Sequence, residues 1–237
     1  MRLNQLSKFK RFCNRKLLLK LVQINNMKIL IIVAHPDDEV LGCGGAIASY
    51  TDQGHEVTSI IFTYGENSNL NESPRKLAKT RSGESIRAGR ILGVKKMYFL
   101  GLPDNTLSEE IKDESLYKKL LTILKEKKPN IILTHSMDDY HPAHRNVAKL
   151  IKKLVSENKL ESRIYTFAIG IPIRAVQKNK PKLIIDTTRY QSKKKMALKQ
   201  FKSQHWNFNY FGNLSKIKDY IYGIFHDKKS VEVFYKW

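Results

Sequence analysis

Two short stretches of this sequence concentrate side chains that bind metals and move protons. The first is His35-Pro36-Asp37-Asp38-Glu39 and the second is Asp138-Asp139-Tyr140-His141-Pro142-Ala143-His144. Zn2+ takes imidazole nitrogen and carboxylate oxygen, and a catalytic zinc keeps one position open for water. His35 and Asp38 stand three residues apart, and on a tight loop both can face one ion; His144 would supply the third ligand from the second stretch. Bound zinc brings the pKa of water from about 15.7 to about 7. Asp37, next to Asp38, is then placed to take that water's proton. His141, one helical turn before His144, is placed to stabilise an oxyanion and protonate a leaving amine. The chemistry this predicts is metal-assisted hydrolysis of an amide. An acidic turn and a helix cap would account for either stretch alone.

The elements around the two stretches favour a shared pocket. Met27 to Ala34 is an almost unbroken apolar run rich in Ile and Val, as expected of a parallel strand buried on both faces. The first stretch follows it directly. A helix through Ala46 to Gln53 ends at Gly54, and Glu56 to Thr63 supplies a second strand. Asn67 to Arg75 reads as a loop, Leu77 to Leu92 as a helix stopped by Gly93, Lys96 to Leu100 as a third strand and Gly101 to Asn105 as a turn. Ser115 to Lys127 is helical and closed by Pro129, Asn130 to Thr134 is the next strand, and His144 to Ser156 is helical. Ile164 to Ile169 and Lys182 to Asp186 are further strand candidates, followed by a basic helix from Ser192 to Ser203. Strands alternating with helices predict an α/β fold with an open, mostly parallel sheet and helices on both faces. In such sheets ligands bind beyond the carboxyl ends of the strands. Both metal-type stretches fall there. Neither a GxGxxG nor a P-loop pattern occurs, so the fold alone implies no nucleotide.

Ala34-His35-Pro36-Asp37-Asp38-Glu39, with Leu41-Gly42-Cys43-Gly44-Gly45 after it, resembles the signature of the PIG-L/LmbE-like de-N-acetylases. The second motif of that family, usually His-Pro-Asp-His-Arg, stands here as His141-Pro142-Ala143-His144-Arg145. Further likeness covers Arg81 to Glu84, Leu102 to Asp104, Asp186 and Lys199 to Gln204, so the resemblance runs from about Met27 to the C-terminus. It implies a Rossmann-like fold, a mononuclear Zn2+ site (or Fe2+ in its place) and removal of acetate from an N-acetylglucosamine-type small molecule or glycoconjugate. By position, His35, Asp38 and His144 fall on the metal ligands, Asp37 on the general base and His141 on the oxyanion-stabilising acid. Arg81 and Asp104 fall on sugar contacts. The family's Asp between the two histidines is Ala143 here. That carboxylate would favour a protonated neighbouring His, so His141 is expected either to be a weaker donor in its acid form or to gain Asp138 or Asp139 in place of the lost partner. Ala143→Asp is expected to leave activity intact or to move its pH optimum upward.

Other residues invite plainer readings. His55, His205 and His226 are surface or core histidines, and His135 is expected to be structural. Cys43 and the glycines around it are expected to permit close packing and tight turns. Trp206, Phe208, Tyr210 and Phe211 form either a sugar-stacking wall or ordinary packing against the sheet.

The chain has 237 residues, enough for one α/β domain with a single core. The formal net charge is +21, which favours anionic partners. Nucleic acid is a weak candidate, because the basic residues match no reader motif and would leave the His/Asp stretches unexplained. Residues 1 to 26 carry seven Lys or Arg and no acid, with Leu6, Phe9, Cys13 and Leu17 on one helical stripe. We read 1–26 as a basic amphipathic extension suited to an anionic membrane surface, and 27–237 as the catalytic domain. The extension lacks a signal-peptide pattern and is too short and charged to span a bilayer. Two cysteines, Cys13 and Cys43, give no disulfide framework. The expected location is cytoplasmic, with peripheral contact at the inner face of the membrane.

Overall fold

The structure, a computed structural model, describes residues 26–69, 71–169, 182–204 and 208–237. The stripe of Leu6, Phe9, Cys13 and Leu17, with His205 and Trp206, therefore lies outside the described residues, as does the side chain of Phe208. Seven strands form one sheet in the order β3-β2-β1-β4-β5-β7-β6. They are β1 Lys28–Val33, β2 Glu56–Thr63, β3 Lys96–Leu102, β4 Ile131–His135, β5 Arg163–Phe167, β6 Lys182–Asp186 and β7 Val231–Lys236. The pairings β1 with β2, β1 with β4, β2 with β3 and β4 with β5 are parallel. Strand β7 is antiparallel to both β5 and β6, so the sheet is mixed but mostly parallel.

The helices are α1 Asp38–Asp52, α2 Pro74–Leu92, α3 Leu107–Glu110, α4 Glu114–Lys127, α5 Pro142–Glu157, α6 Gln191–Leu198 and α7 Asn213–Ile224. They cover both sheet faces, and the period-two alternation of β1 shows how. Ile29, Ile31 and Val33 pack with Val40, Ile47, Ala88 and Leu92 of α1 and α2. Leu30 and Ile32 pack on the other face with Leu120, Leu124, Ile151 and Leu154 of α4 and α5. A strand buried on both sides must be apolar at every position, which is why its alternation is invisible in the sequence.

Several boundaries differ from the sequence reading. Helix α2 starts at Pro74 rather than Leu77, because proline's fixed φ suits the first helical position and its missing N–H costs nothing there. Gly93 then ends it in the left-handed region, at φ 87°. Helix α1 begins inside the first motif, at Asp38, and bends at Cys43, whose φ is −147°. Gly42, Gly44 and Gly45 are thus interior to a bent helix rather than in turns. A Cβ on Gly42 would enter the Phe167 ring, and one on Gly45 would meet Thr187. Helix α6 stops at Leu198, and Lys202–Gln204 is a separate 3-10 turn. Helix α7 and strand β7 have no counterpart in the sequence reading.

The chain leaves β1 toward β2 on one side, and β4 later joins β1 on the other. Loops after β1 and β4 therefore diverge, and a crevice opens between them at the carboxyl edge.

Candidate metal centre and its pocket

Backbone geometry sets the first motif. Asp37 has φ 113°, a left-handed conformation that is strained for a residue with a Cβ. It is held because its N–H donates to Glu39 Oε2 at 3.0 Å, while its carbonyl accepts from Val40 and Leu41 N–H at 2.9 Å. Glu39 is fully buried and accepts the Ser85 hydroxyl at 2.6 Å. Burial pushes its carboxyl up to about 8. The strain turns Asp37 and Asp38 toward the same crevice.

Asp38 Oδ2 is the hub of the site. It lies 3.3 Å from each of His35 Nδ1, His135 Nε2 and His144 Nε2. The ring centroids of His35 and His144 are 5.4 Å apart, so two loops about a hundred residues distant meet at one point. Two overlapping sets of ligand atoms fall within 4.8 Å of one another: His35, His141 and His144, and Asp38, His135 and His144. Imidazoles with one carboxylate suit Zn2+, and a two-His, one-carboxylate set also suits Fe2+.

Hydrogen bonds separate the histidines. His35 Nε2 bonds Asp104 Oδ1 at 3.0 Å, leaving Nδ1 toward Asp38. His144 Nδ1 bonds Asp139 Oδ1 at 2.9 Å, leaving Nε2 toward Asp38. A carboxylate behind an imidazole fixes its tautomer and raises its basicity, the usual support of a metal ligand. The other two lack this support. His135 Nε2 accepts the Ala34 N–H at 3.0 Å, and its buried Nδ1 has no partner. His141 caps α5, its Nδ1 accepting the Ala143 N–H at 3.3 Å. That leaves Nε2 of His141 to carry a hydrogen.

The charges agree with this division. Burial would lower the His35 and His144 pKa values, but Asp38 with Asp104 holds the first up at about 9, and Asp38 with Asp139 holds the second at about 10. The acidic surroundings call for positive charge between these rings. His135 is pushed down to about 4 by burial and by His144. His141 is lowered by burial and by the charges of His144 and His35, so it is a neutral donor. Asp38 resists burial because the charge of His144 draws its carboxyl well below the usual range. Burial pushes the Asp37 carboxyl up to about 7 against the pull of Arg81.

Arg81 is buried and fully engaged at its terminal nitrogens. It donates to Gly65 O at 2.7 Å, Ser68 Oγ at 3.1 Å, Pro36 O at 2.7 Å and Asp37 Oδ2 at 3.0 Å. It ties the loop after β1 to the loop after β2. Asp104 likewise serves His35, and it also accepts from the Thr63 hydroxyl at 3.3 Å. Both residues line the pocket, yet their polar atoms hold protein groups. Ala143 is buried, and of the two expectations for its missing carboxylate the weaker acid-form donor is the one that the lowered His141 follows. Asp139 bonds the His144 ring and the His141 backbone N–H, not the His141 ring.

The pocket has a volume of about 340 Å³ and is walled in part by Ser68, Tyr140, Gln204 and Phe211. Tyr140 and Phe211 stack with ring centroids 6.0 Å apart. Among the described side chains of the expected aromatic wall, Phe211 reaches the pocket and Tyr210 is exposed. Cys43 is buried, its thiol donates to Glu39 O, and burial raises it well above the usual thiol range, so it packs rather than reacts. Asp186 lies at the far sheet edge, near Lys228. The sequence reading missed Asp139 as the support of His144, although it sits in the quoted stretch; chain order gives no sign of which histidine it meets.

Comparison with known proteins follows the same line. Residues 30–155 match the PIG-L family, described as GlcNAc-PI de-N-acetylase. Diacetylchitobiose deacetylase of Thermococcus kodakarensis is 33% identical over 136 residues, 54% of this chain and 49% of that protein. The match thus spans about half the length of that relative. A probable N-acetyl-alpha-D-glucosaminyl L-malate deacetylase 2 of Bacillus cereus is 30% identical over 149 residues, 60% of this chain and 67% of its own length. Among solved structures, N,N'-diacetylchitobiose deacetylase of Pyrococcus horikoshii superposes with TM-score 0.75 at 24% identity, covering 94% of this chain and 90% of the other. That superposition confirms the α/β fold.

Proposed function

The chain belongs to the PIG-L family of GlcNAc-PI de-N-acetylases, and from that premise we propose that it is a zinc-dependent hydrolase removing the N-acetyl group from an N-acetylglucosamine-type sugar conjugate. One observation carries the reading: His35 and His144, each backed by a carboxylate, converge with Asp38 in a pocket that also holds Asp37 and His141. His35, Asp38 and His144 would hold the ion. His135 is left out of the set because its lone pair serves the Ala34 N–H, and His141 is kept for hydrogen-bond donation to the oxyanion. When bound, the ion supplies Lewis acidity, lowering the pKa of water and polarising the amide carbonyl.

The protein's own groups do the rest. Asp37 takes the proton of the attacking water, and Arg81 holds its Oδ2 in place. His141 donates its Nε2–H as a hydrogen bond to the developing oxyanion, and the proton that Asp37 took from water passes to the leaving nitrogen. Water and the amide become acetate and the free amine. Arg81 and Asp104 act on the substrate by positioning Asp37 and His35, with the sugar held against the Tyr140 and Phe211 wall. Residues 27–237 form the catalytic unit, supported by a sheet continuous from β1 to β7. Residues 1–26 are a basic extension that favours the cytoplasmic membrane face. No described helix is long and apolar enough to cross a membrane.

The test is metal analysis with acetate release. Zinc-reconstituted protein should liberate acetate from at least one N-acetylglucosamine conjugate, and His35→Ala and His144→Ala should each lose metal. Full metal content in both variants would overturn the ligand set. A metal-loaded protein inert on sugar, inositol, malate and lipid conjugates alike would overturn the activity.

A further inference from the structure

Helix α7 is turned inside out. Its buried positions are Ser215, Asp219 and Gly223, one polar or small residue per turn. Its exposed positions include Ile217, Tyr220, Ile221 and Ile224, with Phe225 just beyond. Those residues recur at three- and four-residue steps, the spacing of a continuous apolar stripe. Ile224 is 59% exposed and Phe225 is 75% exposed. The inward face has its own reasons. Ser215 donates to Leu41 O at 2.7 Å, Asp219 accepts from the buried Lys194 ammonium at 2.6 Å, and a Cβ on Gly223 would strike the backbone at Lys228. The helix is therefore seated by polar contacts and cannot rotate its apolar stripe inward without pulling Asp219 from Lys194 and Ser215 from Leu41.

A groove of about 1040 Å³ adjoins the first turn of this helix, lined by Lys195, Lys199, Lys202 and Lys216 among others. None of these four ammonium groups forms an ion pair with a described residue. The undescribed segments hold no Asp or Glu at all. An apolar stripe therefore borders a surface of unneutralised positive charge.

We propose that the outward face of α7, with the adjoining lysine groove, docks the protein on an anionic lipid surface. The apolar stripe would enter the headgroup boundary while the lysines meet lipid phosphates. A second copy of the chain is the poorer occupant, because a two-fold contact would set Lys216 and its neighbours against their own images. The docked face leads to the pocket: α7 begins two residues after Phe211, which lines it. The inference stands apart from the deacetylase chemistry, since it concerns binding rather than hydrolysis.

Flotation of the full chain with vesicles tests it, comparing 30% phosphatidylglycerol in phosphatidylcholine with phosphatidylcholine alone. Wild type should float with the anionic vesicles and at least tenfold less with the neutral ones. Ile221→Glu with Phe225→Glu should lower the anionic partition at least tenfold, with acetate release from a soluble conjugate changed less than twofold. Ile221→Ser with Phe225→Ser serves as a second variant that adds no charge. Unchanged flotation of both variants, or absence of wild-type flotation, would overturn the proposal. A wild-type dimer in light scattering that the serine variant splits would also overturn it, assigning the face to self-association.

Discussion

At the scale of single residues, the site sets four histidines in different surroundings, and the carboxylates behind His35 and His144 make the difference. Asp139→Asn and Asp104→Asn remove the charge behind His144 and His35. Each is expected to weaken zinc binding roughly 10- to 100-fold, measured by competition with a chelating dye. With Asp37→Asn the metal should stay while kcat falls by about 10²–10⁴. The pH dependence follows from the raised Asp37 carboxyl. The base must be ionised, so kcat/KM should fall on the acid side near pH 7. Arg81 opposes that rise, so Arg81→Gln should move the acid limb to higher pH as well as lower the rate. His35 and His144 carry protons at neutral pH without an ion. Zinc uptake should therefore release protons and weaken as pH falls, which calorimetry in buffers of different ionisation enthalpy would read. That His35, Asp38 and His144 would meet in one pocket was legible from residue type and spacing. Their supporting partners were not, because Asp104 reaches His35 across 69 positions of chain and only folding selects it.

At the scale of elements, the bend in α1 is the least expected feature and the best explained. The bend frees backbone N–H groups at Gly45 and Ala46, and Glu232 of β7 accepts both, at 2.9 Å and 2.7 Å. The same carboxylate takes the Lys194 ammonium at 2.8 Å. The last strand thus caps the helix that carries the first motif. Glu232→Ala would leave two buried N–H donors without a partner and take from the buried Lys194 one of its two carboxylates, Asp219 remaining. It is expected to cost about 3–5 kcal/mol, measured by urea unfolding. The sequence shows β1, β2 and β4 as apolar runs, since burial on both faces demands them. It hides β7 because VEVFYK carries a buried glutamate that looks solvent-facing until its partners are seen. It hides α7 for the opposite reason, since the apolar residues of that helix point outward.

At the scale of the molecule, two loops from the carboxyl edge close one pocket, and the sheet order decides that they meet. An ion that binds the folded chain alone adds stability by mass action. Chelation should therefore lower the melting temperature, and less so in His144→Ala. The sequence by itself determined the fold class, the strand ends that bear chemistry and the residue types at the centre, because buried strands and metal ligands tolerate few side chains. It determined the net charge as well, but not where that charge would face. Only the tertiary structure decided which carboxylate stands behind which histidine, that Arg81 braces Asp37, and that α7 turns its apolar side to solvent. Those outcomes depend on contacts between residues far apart in the chain, and local spacing carries no record of them.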